Sequence, residues 1–124
     1  MHVAAFRSAL RSFLRESEVA ARTSGLTPQR YLLLLMIKGA PDGSEQATVT
    51  ELVERLGLAQ STVTELVRRA EEVGLVEREA SADDGRVVHL RLTAEGENRL
   101  AGAFTRLDVE RRRLRQAFEA LEEN

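Results

Sequence analysis

Seven side chains on one short stretch are of types that could make specific polar contacts: Gln60, Ser61, Thr62, Thr64, Glu65, Arg68 and Arg69. Hydroxyl and amide groups hydrogen-bond the edges of bases, and the planar fork of arginine matches guanine or phosphate in a two-point contact. Wound as a helix, these residues share one side, while Val63, Leu66, Val67 and Ala70 share the other. Such a helix suits a DNA major groove. Bond-making chemistry is not expected. No glycine-rich phosphate loop, nucleophile elbow or paired-carboxylate constellation is present. The chain has no cysteine, which excludes disulfides, thiolate catalysis and cysteine-based peroxide sensing. Its two histidines, His2 and His89, fall short of the three or four converging ligands of a zinc site. No metal, no cofactor and no enzymatic activity are therefore expected.

A helix of this kind must be held against a core, and the flanking residues supply the means. Leu52, Val53 and Leu56 give a preceding short helix, with Thr50 as its expected cap. Gly57 stops that helix, because a residue without Cβ takes the left-handed conformation at little cost. Leu58 then plugs the gap between the two helices. After Gly74, the run Leu75-Val76-Glu77-Arg78 starts a strand, Asp83-Asp84-Gly85-Arg86 is turn chemistry, and Val87 to Leu92 alternates. Val88, Leu90 and Leu92 fall on one face of that strand, and Val87, His89 and Arg91 on the other. Ala47-Thr48-Val49 suits a short strand beside this hairpin, and Thr93 caps the next helix. The order helix, turn, helix, hairpin is a winged helix-turn-helix.

With these residues in place, the stretch from Thr50 to Gly96 resembles the MarR family of bacterial transcriptional regulators. The resemblance is carried by ELVERLGL, by STVT opening the second helix, by GLVER at its exit, by DDGR in the wing and by LTAEG after it. It covers 47 of the 124 residues, and the LTPQ at Leu26 to Gln29 extends it. The resemblance implies a homodimer on a pseudo-palindromic operator, with Arg86 of the wing entering the minor groove and Asp84 bracing it. It also implies a response to a small aromatic or phenolic ligand. Two positions depart from the family pattern. Glu65 stands where relatives often have arginine or another neutral or basic residue. Ala59 stands where they tend to place serine or another capping residue.

The rest of the chain reads as helix. Val3, Phe6, Leu10, Phe13, Ser17 and Ala21 recur at spacings of three and four, so residues 1–22 form an amphipathic helix. Thr27-Pro28 opens a second helix running to Lys38, apolar nearly all round. Residues 94–122 read as one long helix with a heptad seam of Leu100, Phe104, Leu107, Leu114, Phe118 and Leu121, interrupted by Arg111. The expected architecture is mainly α with a small β-hairpin wing, as a single domain over 1–124. Residues 27–93 form the winged module, and 1–22 and 94–124 are dimerisation helices. Phe6, Leu10, Phe13, Leu107, Leu114, Phe118 and Leu121 are the expected dimer contacts.

Charge supplies the counter-argument. The net charge is −2. From Thr48 to Thr93, nine acids stand against six arginines, leaving the DNA module at −3. Affinity for DNA rests on neutralised phosphates, so positive charge must be segregated to one face. The rival reading is a winged-helix module that binds a protein and not DNA. The longest apolar run, Tyr31 to Ile37, is too short to span a bilayer, and no basic-then-apolar leader opens the chain. A cytoplasmic location without a membrane partner is expected.

Overall fold

The computed structural model describes residues 2–81, 83 and 85–122. The order is α1 (His2–Thr23), α2 (Pro28–Lys38), β1 (Gln46–Ala47), α3 (Val49–Leu56), α4 (Gln60–Glu72), β2 (Val76–Ala80), β3 (Val88–Leu92), α5 (Ala94–Thr105) and α6 (Asp108–Glu122). This is the expected winged helix: mainly helical, with a small antiparallel sheet in the order β1-β3-β2. The strand β3 is central. Gln46 pairs with Arg91 on one side, and Val76 to Ala80 pair with Leu92 to Val88 on the other.

Helix α2 is the centre of the core. Thr27 caps it, its Oγ1 accepting from the Arg30 amide at 3.1 Å, and Pro28 takes the first turn, where a missing N–H costs nothing. Leu33, Leu34 and Ile37 are fully buried, whereas Leu32 points outward at 44% exposure. Around α2 gather Leu52 of α3, Val63, Val67 and Ala70 of α4, Leu75, Leu90 and Leu100. Tyr31 belongs to this core, and its burial raises the hydroxyl pKa.

Two expectations about the elements are corrected. The cap of α3 is Thr48 and not Thr50. Thr48 Oγ1 accepts from the Glu51 amide at 3.1 Å, and Glu51 Oε1 accepts from the Thr48 amide at 2.9 Å. That reciprocal pair satisfies two orphan donors at once, so it prevails over a cap two residues later. Consequently β1 ends at Ala47, and Val49 opens α3 instead of extending the strand.

The second correction is the long helix, which breaks at Arg106-Leu107. Leu107 is drawn into the core at 1% exposure. The last turn of α5 tightens, the Leu107 amide donating to the Phe104 carbonyl at 3.1 Å. A new helix then starts, with the Arg111 amide donating to the Leu107 carbonyl at 2.8 Å and Asp108 and Glu110 in the positive first turn. The heptad seam is not continuous as a result. Leu100, Ala103 and Leu107 face the core, while Phe104 stands 49% exposed. The break lets α6 pack along α1, where the rings of Phe6 and Phe118 lie 6.1 Å apart.

Candidate nucleic-acid interface

The interface is built on the turn between α3 and α4. Gly57 adopts φ 67° as the end of α3, a conformation costly for any residue with a Cβ. Its amide donates to the Val53 carbonyl, and Leu58 packs against the core beyond it. Ala59 is the N-cap of α4 and offers no side-chain hydrogen bond to the orphan amides. Val63, Leu66, Val67 and Ala70 seat α4 on the core. Its outer face presents Gln60, Ser61, Thr62, Thr64, Arg68 and Arg69, all exposed, and Glu65, partly exposed. All seven sequence-nominated residues of the helix therefore share one accessible surface. The helix is about 20 Å long at 1.5 Å per residue, enough to follow a major groove.

The arginines of that surface are tied to carboxylates. Glu65 Oε1 accepts from Arg68 Nη2 at 2.5 Å and from Arg69 Nε at 2.9 Å, while Oε2 accepts from Arg68 Nε at 2.9 Å. Arg68 Nη1 also donates to Glu72. The hydrogen bonds from Arg68, then the one from Arg69, hold the Glu65 carboxyl well down, at about 2. Arg78 donates to both oxygens of Glu71 at 2.9 Å. Arg55 is intramolecular as well. It bonds Glu51 at 3.1 Å and the Met36 carbonyl at 3.3 Å, tying α3 to α2.

The wing flanks α4. The Ser81 amide donates to the Val87 carbonyl at 2.9 Å and closes the hairpin beyond the Ala80–Val88 pair. Asp83 donates its amide to Ser81 Oγ at 3.3 Å, and Arg86 is exposed in the turn. Asp84, the expected brace of Arg86, lies outside the described residues. Of the expected dimer contacts, Phe6, Leu10, Phe13, Leu114 and Leu121 are partly exposed and Phe118 is 51% exposed. Leu107 is spent on the chain's own core and has no surface to offer a partner.

Two participants were missed from sequence. Glu72 stands four residues after Arg68, a spacing that brings the two together on a helix and was available as a signal. Gln29, from the start of α2, joins Ser61, Thr62, Glu65, Leu66 and Arg69 around a shallow groove. Only tertiary packing brings it there. Among the described residues, no cluster of three or more histidine or carboxylate groups could hold a metal ion. No helix among them is long and apolar enough to cross a membrane.

Comparison with known proteins gives the lineage. Among solved structures, the chain is similar to YusO from Bacillus subtilis, at 24% identity over 94% of this chain and 84% of that one, with a TM-score of 0.66. It is similar to a mutant MarR from E. coli complexed with operator DNA, at 20% identity over 94% and 85%, TM-score 0.72. It is also similar to a mutant MepR from S. aureus bound to an oligodeoxyribonucleotide, at 18% identity over 94% and 83%, TM-score 0.72. At such identities the likeness establishes the fold. The curated proteins give no match. The sequence model of the MarR family matches residues 24–87, from the turn before α2 to the residue before β3. That span exceeds half of the 124 residues and includes the helix-turn-helix, so the chain belongs to the MarR family.

Proposed function

We propose that this protein is a sequence-specific double-stranded DNA-binding transcriptional regulator, working as a homodimer on a pseudo-palindromic operator. The observation that carries the reading is the outer face of α4. Its polar side chains are accessible together while the opposite face is locked into the core. Two of its structural neighbours are seen on DNA. Gln60, Ser61, Thr62 and Thr64 reach base edges, and Arg68 and Arg69 reach phosphates or guanine. Arg86 enters the adjacent minor groove, oriented by Asp84. The protein acts by binding and not by catalysis.

Selecting bound sequences from a random DNA pool tests this directly. An inverted repeat with half-sites about one helical turn apart is the expected product. Recovery of no sequence above background overturns the reading in favour of a protein-binding module. That rival draws on the acidic balance of the winged module and on the paired state of its arginines. Within the DNA reading, Arg86→Ala weakens operator binding by about 1–3 kcal/mol, most on sites with A·T-rich flanks. Asp84→Ala gives a smaller loss in the same direction, although simple charge predicts a gain. Tighter operator binding by Asp84→Ala at every salt concentration would refute the brace.

Ligand response is part of the same proposal. Leu35, Leu100, Ala101 and Phe104 line an apolar cleft between α2 and α5, with Lys38 and Glu97 at its rim. Such a cleft suits a small aromatic acid. Lys38 Nζ already lies 3.0 Å from both Glu45 and Glu97, so a bound carboxylate competes with these two for the ammonium. Titration of the operator complex with salicylate is the test, and a shift in operator affinity is the expected result.

A further inference from the structure

We propose that Glu65 is a selectivity brake: its carboxylate withholds Arg68 and Arg69 from DNA backbones that the helix does not fit. This deepens the DNA-binding reading and rests on it. The geometry supplies the brake. One carboxylate takes three hydrogen bonds from two guanidinium groups, and Glu72 takes a further one from Arg68. Two positive and two negative charges make the cluster neutral, where two arginines alone would present +2 to any duplex.

Non-specific binding draws almost entirely on phosphate contacts. A loosely seated α4 offers the arginines only distant phosphates, and their bonds to Glu65 persist. A fully seated α4 brings phosphates into two-point contact with the guanidinium groups, which then exchange one anion for another. The exchange is feasible because the cluster is open to water. The side chains of Glu65, Arg68 and Arg69 are 45%, 53% and 60% exposed, and exposed pairs are weak. Arg68 and Arg69 therefore count toward the operator complex and not toward random DNA. Without Glu65 they count toward both.

The test is the salt dependence of binding by Glu65→Gln on two duplexes of equal length, one selected from the random pool and one scrambled. Each freed arginine steepens the log–log slope on the scrambled duplex by about 0.9, equivalent to about five-fold tighter binding at 0.15 M salt relative to 1 M. The slope on the selected duplex stays that of the wild type. Glu54→Gln is the control. It removes the same charge from the same module at an exposed residue without an ion-pair partner among those described. Circular dichroism verifies that each variant is folded. An unchanged scrambled-duplex slope in Glu65→Gln overturns the brake, and so does an equal steepening in Glu54→Gln. If the wild type binds neither duplex, the parent reading falls and the brake falls with it. Binding of the selected duplex with unaltered slopes defeats the brake alone.

Discussion

Two residues, one capping α4 and one within it, show how a local choice is felt across the interface. Ala59 occupies the cap position in extended conformation, and no side chain reaches the amides of the first turn. A hydroxyl there accepts one of them, so Ala59→Ser raises stability by about 1 kcal/mol. A chemical denaturation midpoint no higher than that of the wild type contradicts this. Glu65 makes the opposite point, since it has partners and a depressed pKa. Its folded value of about 2 lies below its ordinary 4.5. The stability it contributes is therefore fully present above pH 4.5 and is lost as the pH falls toward 2. In that window the wild-type midpoint drops more steeply than that of Glu65→Gln, and parallel curves show that the clamp does not contribute to folding. The nominations on α4 were legible from spacing alone, because helical periodicity fixes which side chains share a face. Spacings of three and four each permit a pair with Glu65, and only the structure shows both arginines bound at once.

At the level of elements, most of the winged module was readable because its signals are local. Gly57, the alternation of β3 and the Thr93 cap each specify their structure within a few residues. The Thr48 cap is equally local, but Thr50 offers the same side chain two residues later, and only the hydrogen bonds with Glu51 choose between them. The break at Leu107 was not readable. Nothing in Thr105-Arg106-Leu107-Asp108 forbids a helix, and only the core's demand for Leu107 ends it. Gly96 in the LTAEG run is similar. The sequence places it in the first turn of α5, and only packing explains it. A Cβ there would lie 2.2 Å from the Leu75 carbonyl oxygen, at the start of β2. The same junction is fastened by Thr93, whose amide donates to that oxygen at 3.0 Å and whose hydroxyl donates to the Gly74 carbonyl at 2.6 Å. Backbone cannot yield as a flexible side chain does, so Gly96→Ala costs about 1–3 kcal/mol despite the better helix propensity of alanine. Thermal unfolding measures it, and a stabilised variant shows that α5 shifts freely on the sheet.

For the whole molecule, unpaired arginines and exposed apolar side chains occur together on the outer helices. In the winged module Arg55, Arg68, Arg69, Arg78 and Arg91 are each paired with a carboxylate. On the outer helices Arg7, Arg11, Arg15, Arg112, Arg113 and Arg115 have no ion-pair partner among the described residues. Those helices also carry Val3, Leu14, Val19, Val109 and Phe118, each at least half exposed. No residue of α6 is buried, so this helix has a surface in search of cover. Phe118 packs against Phe6 with the rings tilted and still leaves half its surface in water. Apolar patches of this kind on a monomer mark an association site. In the proposed homodimer a second copy of the chain would cover it by symmetry, and the same two-fold axis would set two copies of α4 one turn of DNA apart. Sedimentation at micromolar concentration is expected to show a dimer. Phe118→Asp shifts it to monomer while circular dichroism retains the helical signal, and operator affinity falls to that for a scrambled duplex because a single half-site remains. A variant that stays dimeric places the interface away from Phe118. One that is monomeric yet binds the operator as tightly as the wild type separates recognition from assembly.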